Sequence, residues 1–255
     1  MKDGKRLPIS KIEIVGATDV GQKRQRNEDS FRIIEPEDCP SNIDGVLIVA
    51  DGMGGHAAGD VASQIAVDTF VEEFAGPEIR DSEEILVTMG DVLKRANSLI
   101  YEAGRRNEEG SMGTTCTAAV ISQGKIHVAH AGDSRGYLQR DQGLRQLTED
   151  HSWVAQLAKE GHITSEQARV HPSRNVITRA LGIENELVPD IITEELRAGD
   201  KVLLCSDGLH GLVEDGEINE VLDSTSIQEA LFTLIQLAND KGGDDNITAV
   251  VAAIH

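Results

Sequence analysis

The chain has 255 residues, 44 acidic against 24 basic, for a formal net charge of -20 at neutral pH. That balance argues against a nucleic-acid backbone or an anionic membrane surface as the main partner, because both would repel it. Three cysteines, Cys39, Cys116 and Cys205, stand at wide spacings without a C-x-x-C pair, which points away from a disulfide framework or zinc knuckle and toward a reducing cytosol.

The N-terminus is charged and carries no apolar leader, and no uninterrupted apolar run reaches spanning length, so a cytoplasmic protein is expected. The length fits one domain, 1–255. Ile12 to Ala17 alternates as a first strand, followed by a turn at Gly21 and the basic run Lys23, Arg24, Arg26. Strands are expected again at Ser30 to Ile34 and at the buried-type run Val46 to Ala50. After the glycine-rich turn Gly52, Gly54, Gly55 and Gly59, Asp60 is placed to cap a helix whose Ala62, Ala66, Phe70 and Phe74 recur every fourth residue. Ile85, Met89, Val92, Ala96, Leu99 and Ala103 mark a second helix with one buried stripe. From Thr114 to Leu147 the period drops to two, with turns at Gln123-Gly124 and Gln142-Gly143, which predicts an antiparallel meander. Cys116 and Cys205 fall in apolar runs and read as small core residues.

A segment at about 149–186 has helical stretches but no strand pattern, and its length suits a lid or binding flap. Strands follow at about Val188 to Thr193 and Val202 to Cys205, helices at about Asp215 to Leu222 and Ile227 to Asn239, and a last strand at Ile247 to Ile254. Amphipathic helices need a sheet to cover. The economical packing is an α+β arrangement, a β-sandwich with helices on its outer faces.

Carboxylates punctuate these strands. Asp51, Asp133 and Asp207 each follow an apolar run, whereas Glu28-Asp29 and Asp244-Asp245 each precede one. In antiparallel sheets the starts and ends of neighbouring strands share a rim, so all five groups are expected to converge. Such a cluster repels itself without a cation. Oxygen ligands without a matching His or Cys set favour Mg²⁺ or Mn²⁺ over Zn²⁺. Arg24, just before Asn27-Glu28-Asp29, puts a guanidinium fork beside them that suits a phosphate.

The segments G-A-T-D-V-G-Q-K-R-Q-R-N-E-D (16–29), D-G-M-G-G-H-A-A-G (51–59), M-G-T-T (112–115), A-G-D-S-R (131–135), H-P-S-R-N-V-I-T-R-A-L-G (171–182), C-S-D-G-L (205–209) and G-G-D-D-N-I-T (242–248) resemble, in order and over essentially the whole chain, the metal-dependent serine/threonine protein phosphatases of type 2C in their compact bacterial form. The resemblance implies a four-layer αββα sandwich, two antiparallel sheets flanked by helix pairs, with a binuclear Mn²⁺ or Mg²⁺ centre at one rim. It implies that Asp51 bridges both ions, that Asp207 and Asp245 complete the first, that Glu28 and the Gly52 carbonyl serve the second, and that Asp29 holds waters in the outer shell. Arg24 would orient the substrate phosphate, and a third, weaker ion would be bound by Asp133 and Asp207 next to the flap.

One position departs from the pattern. Animal members carry a histidine directly after the first Asp-Gly, where it is thought to protonate the leaving alkoxide; here that residue is Met53. His56 lies three residues on, and His151 and His171 border the flap, so His56 and His171 are the candidates for a general acid or flap contact.

A dinucleotide-binding reading of Gly52-x-Gly54-x-x-Ala57 fails because the helix leads into another helix and Asp51 would repel a pyrophosphate. A calcium loop counted from Asp51 reaches Ala62 where glutamate is needed. An inactive pseudophosphatase that binds phosphoproteins would be expected to have lost metal ligands, and every matching acidic position is present. The expectation is a monomeric hydrolase of phosphoserine and phosphothreonine in proteins that opposes a serine/threonine kinase.

Overall fold

Alternation along the strands sets the layering. The computed structural model describes residues 11–54, 58–75, 81–106 and 112–255. Its first part runs β1 (Ile12–Asp19), β2 (Asp29–Ile34), β3 (Gly45–Gly54), α1 (Ala58–Phe74), α2 (Ser82–Arg106), β4 (Met112–Thr114), β5 (Cys116–Ser122), β6 (Lys125–Ala131), β7 (Arg135–Arg140) and β8 (Gly143–Gln146). Two short helices follow, α3 (Trp153–Lys159) and α4 (Ser165–Arg169), and then β9 (Asp190–Glu195), β10 (Lys201–Cys205), α5 (Asp207–His210), α6 (Asp215–Ser224), α7 (Ile227–Asp240) and β11 (Ile247–Ile254).

One sheet has the order β1-β11-β10-β7-β8 and the other β2-β3-β5-β6-β9, with β4 paired to the end of β3. All the pairings are antiparallel. Because successive side chains point to opposite faces, β3 sends Leu47 and Val49 into the space between the sheets and Val46, Ile48 and Ala50 toward α1 and α2. β10 does the same: Val202 and Leu204 enter the inter-sheet core, while Leu203 and Cys205 pack under α6 and α7. Three apolar layers therefore separate four layers of secondary structure, helices, sheet, sheet, helices. Cys116 and Cys205 are buried in the two outer layers, as small apolar residues would be.

Four local expectations are corrected. The strand carrying Asp51 runs on through Gly54, because β4 supplies a partner for Gly52, Met53 and Gly54. Helix α1 begins at Ala58 within the described residues, so Asp60 lies in its first turn instead of capping it. The stretch from Thr114 to Leu147 is not one meander: the β5-β6 hairpin belongs to one sheet and the β7-β8 hairpin to the other, so the link at 132–134 crosses between them. The second turn is Asp141-Gln142, both at positive φ as a two-residue hairpin turn requires, and Gly143 already belongs to β8.

The segment 149–186 leaves the sandwich with α3 and α4, capped by Ser152 and Thr164. A bridge between Ser152 and Ile177 closes the segment on itself, and one between Thr114 and Leu181 ties it back to the sandwich. Asn97 of α2 secures the returning limb, accepting from the Gly182 N–H at 2.8 Å and donating to the Glu184 and Asn185 carbonyls.

Candidate metal centre and phosphate site

Register brings the first two acids together. Asp29 opens β2 directly opposite Asp51 on β3. From the other sheet, Asp207 starts α5 immediately after β10, and Asp245 precedes β11. Asp133 sits on the link that crosses from one sheet to the other. Their mutual influence is electrostatic as well as spatial: burial first, then the charges of Asp29, Asp207, Asp133 and Asp245, hold the Asp51 carboxyl well above its ordinary range. Burial also raises Asp133, with Asp207 and Asp150 adding to it, and raises Asp207, with Asp245 adding. Asp29 is pushed up to about 7, chiefly by burial.

Glu28 is held by its backbone. Its N–H donates to Asn246 Oδ1 at 2.8 Å, and its carbonyl accepts from the Gly52 N–H at 3.2 Å and from Ser63 Oγ at 2.6 Å. The carboxylate of Glu28 lies against Gly59 in the first turn of α1, where backbone dipoles favour an anion. Asn246 also donates to the Val20 and Arg26 carbonyls, so one amide fixes the loop that carries Arg24 and Glu28. Ser206 Oγ donates to Asp29 Oδ2 at 2.8 Å and accepts from the Thr248 N–H at 3.0 Å.

The donor set fits a hard divalent cation. Among the described residues Asp29 Oδ1 is buried without a hydrogen-bond partner, and a buried carboxylate oxygen left in that state is costly unless a cation or water meets it. Among the described residues no three acids, histidines or cysteines form a ready-made cage, so an ion would draw the acids inward from the positions seen here. Close backbone packing supports the same rim. A Cβ added at Gly52 would lie 2.2 Å from the Gly59 carbonyl oxygen and 2.4 Å from that of Glu28. Both neighbours are backbone, so neither can swing aside. Gly52→Ala is expected to destabilise the protein by more than about 2 kcal/mol in urea melts; an unchanged midpoint would show that the strand end yields.

A cavity of about 910 Å³ opens beside these acids, lined by Arg24, Asp133, Asp207 and Asp245 on one side and by α3, α4 and Arg174 of the 149–186 segment on the other. Arg24 stands exposed at its mouth, donating from Nη2 to Asp245 Oδ2 at 2.7 Å. His56 lies outside the described residues. His171 does not line the cavity; its Nδ1 accepts from the Ser173 N–H at 3.1 Å. His151 is buried and bonded to the backbone of Gly132 and to Asp190, a structural role.

The supporting residues Asn246, Ser206, Ser63 and His210 were missed by sequence reasoning. Asn246 had a visible signal, an amide directly after two aspartates at the mouth of a buried strand. The others had none, since a serine or histidine beside an acid is common on any surface.

Residues 19–252 match the family described as Protein phosphatase 2C. The serine/threonine phosphatase stp of Listeria monocytogenes is 40% identical over 240 residues, covering 92% of each chain. Protein phosphatase PhpP of Streptococcus pneumoniae is 36% identical over 245 residues, 96% of this chain and 98% of its own. Among solved structures, the S. agalactiae serine/threonine phosphatase superposes with a TM-score of 0.89 at 36% identity, over 96% of this chain and all of its own. The catalytic domain of the phosphatase PstP, solved in complex with 2 manganese ions, gives a TM-score of 0.82 at 38% identity, over 95% of this chain and 98% of its own. Matched over residues 19–252 by the family's model and 40% identical to a curated relative over 92% of its length, the chain belongs to the protein phosphatase 2C family.

Proposed function

We infer that this protein hydrolyses phosphoserine and phosphothreonine in other proteins, using divalent cations held at the acidic rim. The observation that carries the reading is the convergence of Asp29, Asp51, Asp133, Asp207 and Asp245 from both sheets, close enough that burial and neighbouring acids raise the carboxyls of Asp29, Asp51, Asp133 and Asp207, in a chain of this family. Asp51, Asp207 and Asp245 would hold one Mn²⁺ or Mg²⁺, and Asp51, Glu28 and the Gly52 carbonyl a second. Asp133 with Asp207 would hold a weaker third. When bound, the cations supply Lewis-acid charge that offsets the anionic phosphate and activates water.

The chain's own contribution is placement. Arg24 is carried on a loop pinned by Asn246, and its guanidinium projects at the cavity mouth, where a bidentate fork can take two phosphate oxygens. In turning from Asp245 to the phosphate it keeps an anionic partner throughout. Asp29, fixed by Ser206, orients water with the oxygen that has no hydrogen-bond partner among the described residues. The reaction forms a bond from water oxygen to phosphorus and breaks the ester bond, and the alcohol oxygen of the serine or threonine takes up a proton. With water as the attacking group, no side-chain nucleophile is needed.

Residues 1–255 are read as one catalytic domain, with 149–186 as a flap whose α3 and α4 form the far wall of the cavity and select the peptide. A serine/threonine kinase acting on the same proteins is the natural counterpart. We place the protein in the cytoplasm as a monomer; no helix among the described residues is long and apolar enough to cross a membrane. The reading is tested by initial-rate hydrolysis of a phosphothreonine peptide by metal-stripped protein titrated with Mn²⁺ and Mg²⁺. Activity should appear only with the cation, and Arg24→Ala should raise KM about tenfold or more, the worth of a charge-assisted fork. Binding of Mn²⁺ without turnover would replace the enzyme by a phosphoprotein-binding module.

A further inference from the structure

Helix α5 is one turn long, and both of its ends bear on the acidic rim. Asp207 is its first residue and His210 its last. The buried His210 ring reaches across to the neighbouring link, where Nε2 donates to the Asp133 carbonyl at 3.0 Å. Burial, with the Arg135 charge adding, pushes this imidazole down to about 3, so it is neutral at physiological pH. A carbonyl can only accept, which places the single ring N–H on Nε2.

The link that carries Asp133 has little freedom of its own. Gly132 is at φ +122, and a Cβ there would lie 2.5 Å from Thr115 Cβ. At the residue before Asp133, the Gly132 N–H donates to His151 Nδ1 at 3.0 Å and the His151 backbone N–H donates back to the Gly132 carbonyl at 2.7 Å. Asp133 is thus bracketed by two histidines. His151 is a fixed post, bonded at Nε2 to Asp190 at 3.1 Å. His210 is the bracket that a second element touches. From α4, half-buried Arg169 donates Nη2 to the His210 carbonyl at 3.0 Å, a cation on the C-terminal carbonyl of α5.

We propose that His210 is a positioning residue that fixes the separation of Asp133 and Asp207, and that Arg169 makes this separation depend on where the flap sits. One helical turn joins Asp207 to His210, and one hydrogen bond joins His210 to Asp133. Withdrawal of Arg169 leaves the last carbonyl of α5 to water, loosens that turn, and frees the Asp133 backbone to follow. A peptide that moves α4 therefore retunes the weaker cation position without touching either carboxylate. The effect on cation binding rests on the reading above of Asp133 and Asp207 as a shared ligand pair, whereas the coupling through His210 does not.

Backbone amide exchange, read by mass spectrometry on the full chain without metal, separates the two. Arg169→Met keeps the apolar stem and removes the donors. It should speed exchange in α4 and also, by about threefold or more, in the peptide covering 130–136. His210→Leu should do the same at 130–136, and His210→Gln, which retains an N–H donor, should restore most of the protection. In Mn²⁺ isotherms the weak class should lose roughly three- to tenfold in affinity in Arg169→Met and His210→Leu, with the tight class unchanged. Exchange confined to α4, with 130–136 at wild-type rates, would overturn the proposal; the surface-accessible Arg169→Met decides this even if His210→Leu fails to fold. If 130–136 responds but the wild type shows no weak Mn²⁺ class, the coupling stands and the shared-ion reading falls.

Discussion

Asp207→Asn and Asp51→Asn are each expected to fold, to become more stable than wild type in the absence of metal, and to lose phosphothreonine hydrolysis by at least about 10³-fold at saturating Mn²⁺. The two effects share a cause. Both carboxyls are raised by burial and then by their acidic neighbours, so each ionised side chain costs the metal-free fold what it contributes to a cation. Replacing either with the isosteric amide removes a buried like charge, which should gain about 1–2 kcal/mol in EDTA. Urea melts with and without Mn²⁺, beside initial rates, test the pair together. A variant that loses activity and also loses metal-free stability would show that these acids are structural, held by partners and not by repulsion.

A second large effect concerns pH in metal-free protein. In the unfolded chain these carboxyls titrate near 4. In the folded chain Asp207 is raised to about 6, Asp29 to about 7 and Asp133 to about 8, in each case with burial as the largest cause. A raised folded value means that the stabilising form is the protonated one. Its contribution is complete below the unfolded value and is lost as pH climbs through about 6 to about 8. Stability in EDTA should therefore fall by something on the order of 3 kcal/mol between pH 5 and pH 8.5. Asp150 runs the other way: burial raises it, but the Arg135 fork more than compensates and holds it below its ordinary range, so its contribution is lost on the acid side. Metal-free protein should be most stable at about pH 4, close to the unfolded carboxylate value. Saturating Mn²⁺ should remove the alkaline decline, because the cation takes the place of the protons. A metal-free stability that rose from pH 5 to 8 would contradict the raised carboxyls.

Most of the architecture was legible because the apolar periods are clean. The runs at Val46 to Ala50, Val202 to Cys205 and Ile247 to Ile254 are buried on both faces, which only strands between two packed layers require. The acids were legible for a related reason, since a carboxylate at the end of such a run has only the rim to occupy. What sequence could not show was which hairpin joins which sheet. Gln123-Gly124 and Asp141-Gln142 specify local pairing equally well, and the crossing at Gly132 is decided by long-range packing against Thr115. Likewise Asp51 reads as a strand end until Gly52 to Gly54 meet β4, a three-residue strand too short to have a period. His210 follows a motif that ends one residue earlier, and nothing local announces that its ring bonds to a residue 77 positions away.

The division of the acids has a mechanical consequence. Asp29 and Asp51 belong to one sheet, Asp207 and Asp245 flank strands of the other, and Asp133 lies on the strap between. Without a counter-ion, like charge sits on both lips of one seam and acts as a wedge where the inter-sheet core comes to the surface. A cation bound across that seam becomes a rivet. The lips should part first on chelation, with the inter-sheet core behind them still closed, so that losing metal and beginning to unfold are successive stages of the same opening.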